Sequence, residues 1–331
     1  MRRRSWFPAL GLLAGLVGSA GGVAAQTPVE VTIAVSSTSF VLGGVRIGEN
    51  AGIFARNGLK PKIVVMDSGN AALSALIGGS APFAVTGPPD TLTAKARGQD
   101  VRIVANLYRG LAGSVVLAKG VGDRLGIAPK APVAERLRAL DGLTIAVPSA
   151  TSSLLAPLRI AAEGAGARIK FTYMAQPAMP AALESGAVHG IMASFPFAGA
   201  PLIRGTGALW IDGPGGDLPA EAEPASSSCL LTSGRIEAAE PDTVARLRKA
   251  VVETAAFIRD HQDEARRALA ASYPQLGPQD IDIAFAQQWR NWTQPDFTEA
   301  DVAQELKLLR SSAKLPELDR IAPASILSSG R

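Results

Sequence analysis

The chain carries one cysteine, two histidines and few aromatics: ten Phe, four Trp and three Tyr among 331 residues. A single cysteine excludes an intramolecular disulfide, whatever the redox compartment. Cys229, beside Leu230-Leu231, reads as a small buried apolar residue rather than a reactive thiol, which would need a nearby base. The only imidazoles are His189, entering a strand after a glycine turn, and His261, in the polar helical run Arg259-Asp260-His261-Gln262-Asp263. Neither has metal-ligand spacing, and no HExxH or paired-cysteine pattern exists, so no metal or cofactor is expected. No GxSxG nucleophile turn is present, and Gly43-Gly44 to Gly48 lacks the Lys-Ser/Thr of a phosphate loop. Charge is sparse too, at 19% of residues. Three of the 33 Lys+Arg and none of the 29 Asp+Glu precede residue 26, which leaves a balance of +1 for the rest. No basic run interleaved with aromatics occurs, which excludes a nucleic-acid partner of the usual kind.

What the chain does have begins at its amino terminus. Arg2-Arg3-Arg4 is followed by an apolar, Gly/Ala-rich stretch over 6–20, and then by Val23-Ala24-Ala25 before Gln26. This is the pattern of a secretory signal peptide over residues 1–25, cleaved after Ala25. The apolar stretch is too short and too glycine-broken for a spanning helix, and no cysteine at the cleavage point offers a lipid anchor. Ordinary secretion fits better than twin-arginine export, and the expected location is the periplasm.

Residues 48–87 then read as helix, glycine turn, strand, loop, helix, glycine turn, strand. Ile47, Asn50-Ala51 and Phe54 recur at helical spacing, and Asn57-Gly58 supplies a stop. Ile63-Val64-Val65-Met66 is a β-branched run. Asp67-Ser68-Gly69-Asn70 is a loop able to cap the next helix, whose apolar stripe is Ala71, Leu73, Leu76 and Ile77. Gly78-Gly79 ends that helix and Phe83-Ala84-Val85 makes the next strand. Alternating strands and helices imply a parallel sheet with ligands at the carboxyl ends of its strands.

This block resembles the periplasmic solute-binding proteins of ABC importers, of the nitrate/sulfonate/taurine type that also includes pyrimidine-precursor binders. The matching residues are Gly52-Ile53-Phe54 through Gly58-Leu59, Ser68-Gly69, Ala75-Leu76 through Gly78-Gly79, Phe83 and Gly87. Downstream, Leu140-Asp141-Gly142 precedes a strand at 144–147. Ala181-Ala182-Leu183-Glu184-Ser185-Gly186-Ala187-Val188 also matches, but His189-Gly190 stands in place of the usual Asp-Ala. The resemblance implies a type II periplasmic-binding-protein fold: two Rossmann-like α/β lobes with a ligand cleft between them. About 305 residues follow the signal peptide, more than one comfortable core. The expected first lobe is discontinuous, 29–112 plus 227–331, and the second is 113–226. The tail 241–271 reads as one amphipathic helix, with further helices near 278–291 and 298–312, Thr298 and Asp301 marking the start of the last.

The resemblance further implies binding without turnover: a small molecule captured between closing lobes and delivered by a monomer to an inner-membrane permease. A small organic anion, sulfonate- or carboxylate-like, fits a cleft rich in hydroxyls. A pyrimidine-type heteroaromatic is the alternative, and a pyrimidine-synthase-like enzyme a more distant one. Candidate ligand-binding residues are Ser37, Thr38, Ser39 and Phe40 after the first strand, and Ser68, Gly69 and Asn70 after the second. Thr86 and Gly87 follow the third, and Asn106 and Tyr108 the fourth. From the second lobe come Ser149, Thr151 and Ser152, then Phe195 and Pro196 at the cleft wall. Each Ser/Thr cluster doubles as a helix cap. The rings of Phe40, Tyr108, Phe195 and Phe197 either stack on a ligand or fill the core. Arg46 and Arg109 either pair with an anion or sit in solvent. Asp90 is expected to cap a helix starting at Thr91.

Overall fold

The computed structural model describes residues 28–312 and 315–330, so the expected signal peptide lies outside the described residues. Among the described residues ten strands form two five-stranded sheets. The first contains β1 (Val29–Val35), β2 (Leu59–Val65), β3 (Phe83–Thr86), β4 (Arg102–Arg109) and β10 (Ser226–Thr232), in the order β2-β1-β3-β10-β4. The second contains β5 (Gly113–Ala118), β6 (Thr144–Val147), β7 (Lys170–Tyr173), β8 (Gly190–Ser194) and β9 (Gly207–Ile211), in the order β7-β6-β8-β5-β9. Three strands of each sheet run parallel, β2-β1-β3 and β7-β6-β8. The fourth is antiparallel in both, β10 against β3 and β4, β5 against β8 and β9.

Burial explains the sequence character of these strands. β3, β8 and β10 are buried at every residue, covered on both faces, so they show no polar alternation. The edge strand β2 (LKPKIVV) is half exposed and tolerates Pro61, whose missing N–H costs no pairing partner at an edge. Alternate residues feed opposite cores: Ile33 and Val35 join one with Phe83, Val85 and Leu247, while Ala34 and Ala84 join the other with Leu76, Leu92 and Leu306. The second sheet divides likewise, Val115, Leu117 and Met192 packing with Trp210, and Val116, Ile191 and Ala193 with Met179.

Two expected helices are broken. The one through Phe54 stops at Gly52, whose φ of +71° ends helix Gly43–Asn50 before a short Ile53–Arg56 turn. The 241–271 segment is two helices, Pro241–Asp260 and Gln262–Ala271, with His261 between them at φ −135°, ψ 58°. The last helix, Glu299–Ser312, starts where expected: Thr298 N–H donates to Asp301 Oδ2 at 2.7 Å and Asp301 N–H to Thr298 Oγ1 at 3.2 Å.

The chain passes between the sheets at 110–112 and again at 212–225. Ser227, at the start of β10 just after the second passage, holds the first, its Oγ donating to Gly110 O and accepting from Ala112 N–H, both at 2.8 Å.

Candidate ligand-binding site between the lobes

A cavity of about 220 Å3 lies where the carboxyl ends of six strands converge, three from each sheet. β1 delivers Ser36, Ser37 and Thr38. β2 ends in Val65, Met66, Asp67, Ser68 and Gly69, and β3 in Thr86 and Gly87. Across from them stand Pro148, Ser149 and Ser152–Leu154 after β6, Ala175–Pro177 after β7, and Ser194 at the end of β8. Parallel strands bring their carboxyl ends to one edge, and so scattered loops meet there.

Local chemistry sets each group. Ser68 accepts from Ala71 N–H at 3.2 Å and so starts helix Gly69–Ile77. Gln176 Oε1 accepts from Ser194 N–H at 2.8 Å and Ser194 Oγ at 2.9 Å, which leaves its NH2 as the group it can offer a solute. The lobes also touch directly. Ser194 Oγ pairs with Ser39 Oγ at 3.0 Å, Phe40 N–H donates to Phe195 O at 2.7 Å, and Ser153 Oγ donates to Ser227 O at 3.0 Å. At Gly87 a Cβ would stand 2.9 Å from Ser153 Cβ, so a glycine is what allows this approach.

Of the sixteen candidates, Ser37, Thr38, Ser68, Gly69, Thr86, Gly87, Ser149 and Ser152 line the cavity. The other eight do not. Ser39 is fully buried in its Ser194 pair. Asn70 is exposed in the first turn of its helix. Asn106 and Tyr108 belong to strand β4, not to a loop after it: Asn106 Nδ2 donates to Gln294 O at 2.6 Å, and Tyr108 OH to Gln288 Oε1 at 3.1 Å. Phe40 fills a core, its ring 4.6 Å from Tyr273 and 6.1 Å from Trp292. Phe195 packs edge-on against Phe40 at 4.8 Å and lines a different cavity, on the side of helix Pro278–Gln288. Pro196 lines neither. Thr151 faces a small adjoining cavity of about 40 Å3.

Arg46 and Arg109 stand apart from the cavity, paired with Glu49 at 3.1 Å and Asp301 at 2.6 Å. Asp90 does line it, and caps nothing at Thr91. The helix is Pro88–Ala96, its first turn opened by two prolines, and Asp90 sits inside that turn. Asp90 Oδ2 accepts from Thr86 Oγ1 at 2.8 Å. Burial raises the carboxyl above its ordinary range, and the hydroxyls of Thr151 and Thr86 oppose that rise. Sequence reasoning missed Gln176, Ser194 and Ser227. Reading Lys170–Tyr173 as a strand and applying the strand-end rule would have found Gln176.

Elsewhere, Cys229 is buried and its thiol is pushed up to about 12, chiefly by burial, so it is inert at neutral pH. His189 Nδ1 accepts from Thr144 N–H at 2.9 Å, away from the cavity lining. Among the described residues no cluster of three His, Cys, Asp or Glu is placed to hold a metal.

Two lobes with this strand order, joined by two passages and enclosing a cavity at their strand ends, define a type II periplasmic-binding fold. The same architecture is found in solved proteins. A protein of Bordetella bronchiseptica superposes with TM-score 0.72 at 22% identity, over 90% of this chain and 94% of that one. The alkanesulfonate-binding protein SsuA from Xanthomonas axonopodis pv. citri, bound to MOPS, gives 0.70 at 20% identity, over 91% and 98%. The periplasmic nitrate-binding protein NrtA from Synechocystis gives 0.64 at 14%, over 92% of each. No curated protein matches the sequence. Residues 27–273 match the NMT1-like family, and the chain belongs to that family.

Proposed function

We propose that the protein is the secreted solute-binding component of an ABC importer. It captures a small organic anion, sulfonate- or carboxylate-like, between two closing lobes and hands it unchanged to a permease in the inner membrane. The observation that carries this reading is the convergence of six strand ends on one cavity dressed with hydroxyls. An anion there is met by the hydroxyl donors of Ser36, Thr38, Ser149 and Ser152, on the side of the cavity away from Asp90. Contacts to both lobes would shift the population toward the closed form, which is the form a permease reads. The architecture shared with an alkanesulfonate binder and a nitrate binder supports an oxyanion as the cargo's recognised group. The amino-terminal signal pattern supports a periplasmic site of action, and a monomer suffices because both walls of the cavity belong to one chain.

A pyrimidine-type heteroaromatic is the second reading, favoured by a lining that, among the described residues, contains two carboxylates, Asp67 and Asp90, and no cationic side chain. It lacks a stacking platform, since Phe40, Tyr108 and Phe195 are packed elsewhere.

The test is a thermal-shift screen of chain beginning at Gln26, stripped of carried-over solute by partial unfolding. The panel contains alkyl sulfonates, nitrate, carboxylates and pyrimidines. A micromolar binder at millimolar concentration stabilises by about 4 kcal/mol. Ser152→Asp should abolish most of the shift given by an anion while leaving the apo midpoint within a degree or two. An anion shift unchanged in Ser152→Asp would exclude an oxyanion at that loop.

A further inference from the structure

A second cavity between the lobes, of about 450 Å3, backs onto the solute cavity. Ser194 borders the solute cavity and Phe195, the next residue, borders this one. Ala112 borders this one and donates its N–H to Ser227, which borders the other. Helix Pro278–Gln288 of the first lobe supplies one wall, with Ile283. The second lobe supplies the other, with Phe195, Ala198, Leu202, Ile203 and Leu209. Among the described residues four large apolar side chains are more than half exposed, and two of them, Ile203 at 52% and Ile283 at 53%, stand on these two walls. Apolar groups left open inside a concave site of this size mark a place for an apolar body. A Cβ at Gly199 would stand 2.2 Å from Phe195 Cε2, so the ring lies against helix Gly199–Ile203 only because residue 199 is glycine.

The charges of this lining have one sign. Asp212 and Asp280 border the cavity, and among the described residues no lysine, arginine or histidine does. Asp280 Oδ2 accepts from Gly277 N–H at 3.3 Å at the start of its own helix. Asp212 Oδ1 accepts from Gly215 N–H at 3.2 Å and from Ser114 Oγ at 3.5 Å, whereas Oδ2 takes no hydrogen bond and is still accessible. A Cβ at Gly215 would stand 2.5 Å from that Oδ2, so a glycine leaves it room. The cation nearest in the fold, Arg136, is committed to Asp217 by bonds of 2.7 and 3.1 Å. Burial raises the Asp212 carboxyl above its ordinary range; the Gly215 N–H opposes that rise, and the Asp217 carboxylate adds to it. A cation brought in beside Asp212 would relieve both causes of the rise. We propose that this second cavity is a binding site for a small amphiphilic amine, whose alkyl or aryl-alkyl body lies between Ile203 and Ile283 and whose ammonium group meets Asp212. The site is separate from the solute cavity and its occupant is not the transported cargo.

The experiment is calorimetric titration of the chain beginning at Gln26 with n-hexylamine and with n-hexanol, which share the apolar body and differ in charge. Hexylamine should bind the wild type about tenfold tighter than hexanol, because a charge-assisted hydrogen bond is the stronger kind. Asp212→Asn keeps the shape and the acceptor for Gly215 N–H, and should bring the two probes to within about threefold of each other by weakening the amine alone. Ile283→Lys, at a half-exposed helix position, removes part of the apolar wall and sets a tethered cation in the groove, and should abolish binding of both probes. It also keeps the test decisive if Asp212→Asn fails to fold. No preference for the amine in the wild type, or a hexylamine affinity that neither variant moves, overturns the proposal. So does self-association, followed by light scattering, that Ile283→Lys dissolves while hexylamine fails to bind, since a second copy of the chain would then be the occupant. Solute capture is read with its own panel and stands or falls apart from these results.

Discussion

The two lobes are built on one plan and furnished differently. β1, β2 and β3 correspond in position to β6, β7 and β8, and the antiparallel β10 to β5. The loop after β1 gives Ser36-Ser37-Thr38, and the loop after β6 gives Ser149 and Ser152-Ser153. Thr86 and Ser194 end corresponding strands, and each fixes an acceptor of its own lobe: Thr86 holds Asp90, Ser194 holds Gln176. The difference is charge. Both carboxylates of the lining belong to the first lobe, and the second contributes only hydroxyls, an amide and apolar groups. Similar topology therefore fixes where groups meet, while the residue closing each strand decides what they offer. One lobe can read charge in a solute; the other can only complete a hydrogen-bonded wall and report closure.

If the lobes are separable in stability as well as in furnishing, a core lesion in one should leave the other standing. Trp210 is fully buried in the second lobe, its Nε1 donating to Arg136 O at 2.8 Å. Trp210→Ala should cost about 3–5 kcal/mol and split denaturant unfolding into two transitions, the first tracking the second lobe. A single transition displaced as a whole would show that the lobes unfold as one unit.

A smaller effect of opposite sign tests the first lobe. Glu305 is buried in helix Glu299–Ser312 and accepts from Ser226 N–H at 3.0 Å, where the chain returns into β10. Burial pushes its carboxyl up to about 8 from an ordinary 4.5. Between those values the folded protein holds a proton that the unfolded chain has released, so this group makes stability fall as pH rises through that window. Glu305→Gln removes the penalty. It should raise stability at pH 8 by on the order of a few kcal/mol and leave it unchanged below pH 4, where both states are protonated. Melting curves of wild type and variant across that range check the sign; curves that stay parallel would place the proton elsewhere.

Much of this plan was legible in the chain. The helix-turn-strand rhythm of 48–87 follows from glycine stops and β-branched runs, which act locally, and the loops after β2 and β3 follow from it; those after β1 and β6 are marked by their own runs of hydroxyl residues beyond a short apolar strand. What was not legible depended on distant partners. Phe40 looks the same whether it meets a solute or a core, and its neighbours Tyr273 and Trp292 come from the tail, more than 230 residues on. Asn106 reads as a loop residue because a polar side chain interrupts an apolar run; it is held inside β4 by Gln294 O. Asp90 reads as a cap because capping is what Asp before Thr usually does. Pro88 and Pro89 moved the helix start back and turned the same side chain inward.

The finest test of the two-lobe comparison is the one hydroxyl pair that joins them near the cavity. Ser39 and Ser194 are both buried, and Ser194 also faces Gln176 Oε1 at 2.9 Å. A hydroxyl has one proton, so if Ser194 donates to Gln176, Ser39 must donate to Ser194. Ser194→Ala then strands the Ser39 proton in a dry interface, whereas removing both hydroxyls strands nothing there. The double-mutant cycle with Ser39→Ala should therefore show the double variant less destabilised than the sum of the singles, by about 0.5–1.5 kcal/mol. The coupling is inter-lobe by construction, since each residue ends or follows a strand of a different sheet. A coupling near zero without solute that appears once solute is bound would mean that the pair forms only on closure. A coupling present in both states would mean that the lobes already meet in the empty protein, and that the solute selects the closed form rather than creating it.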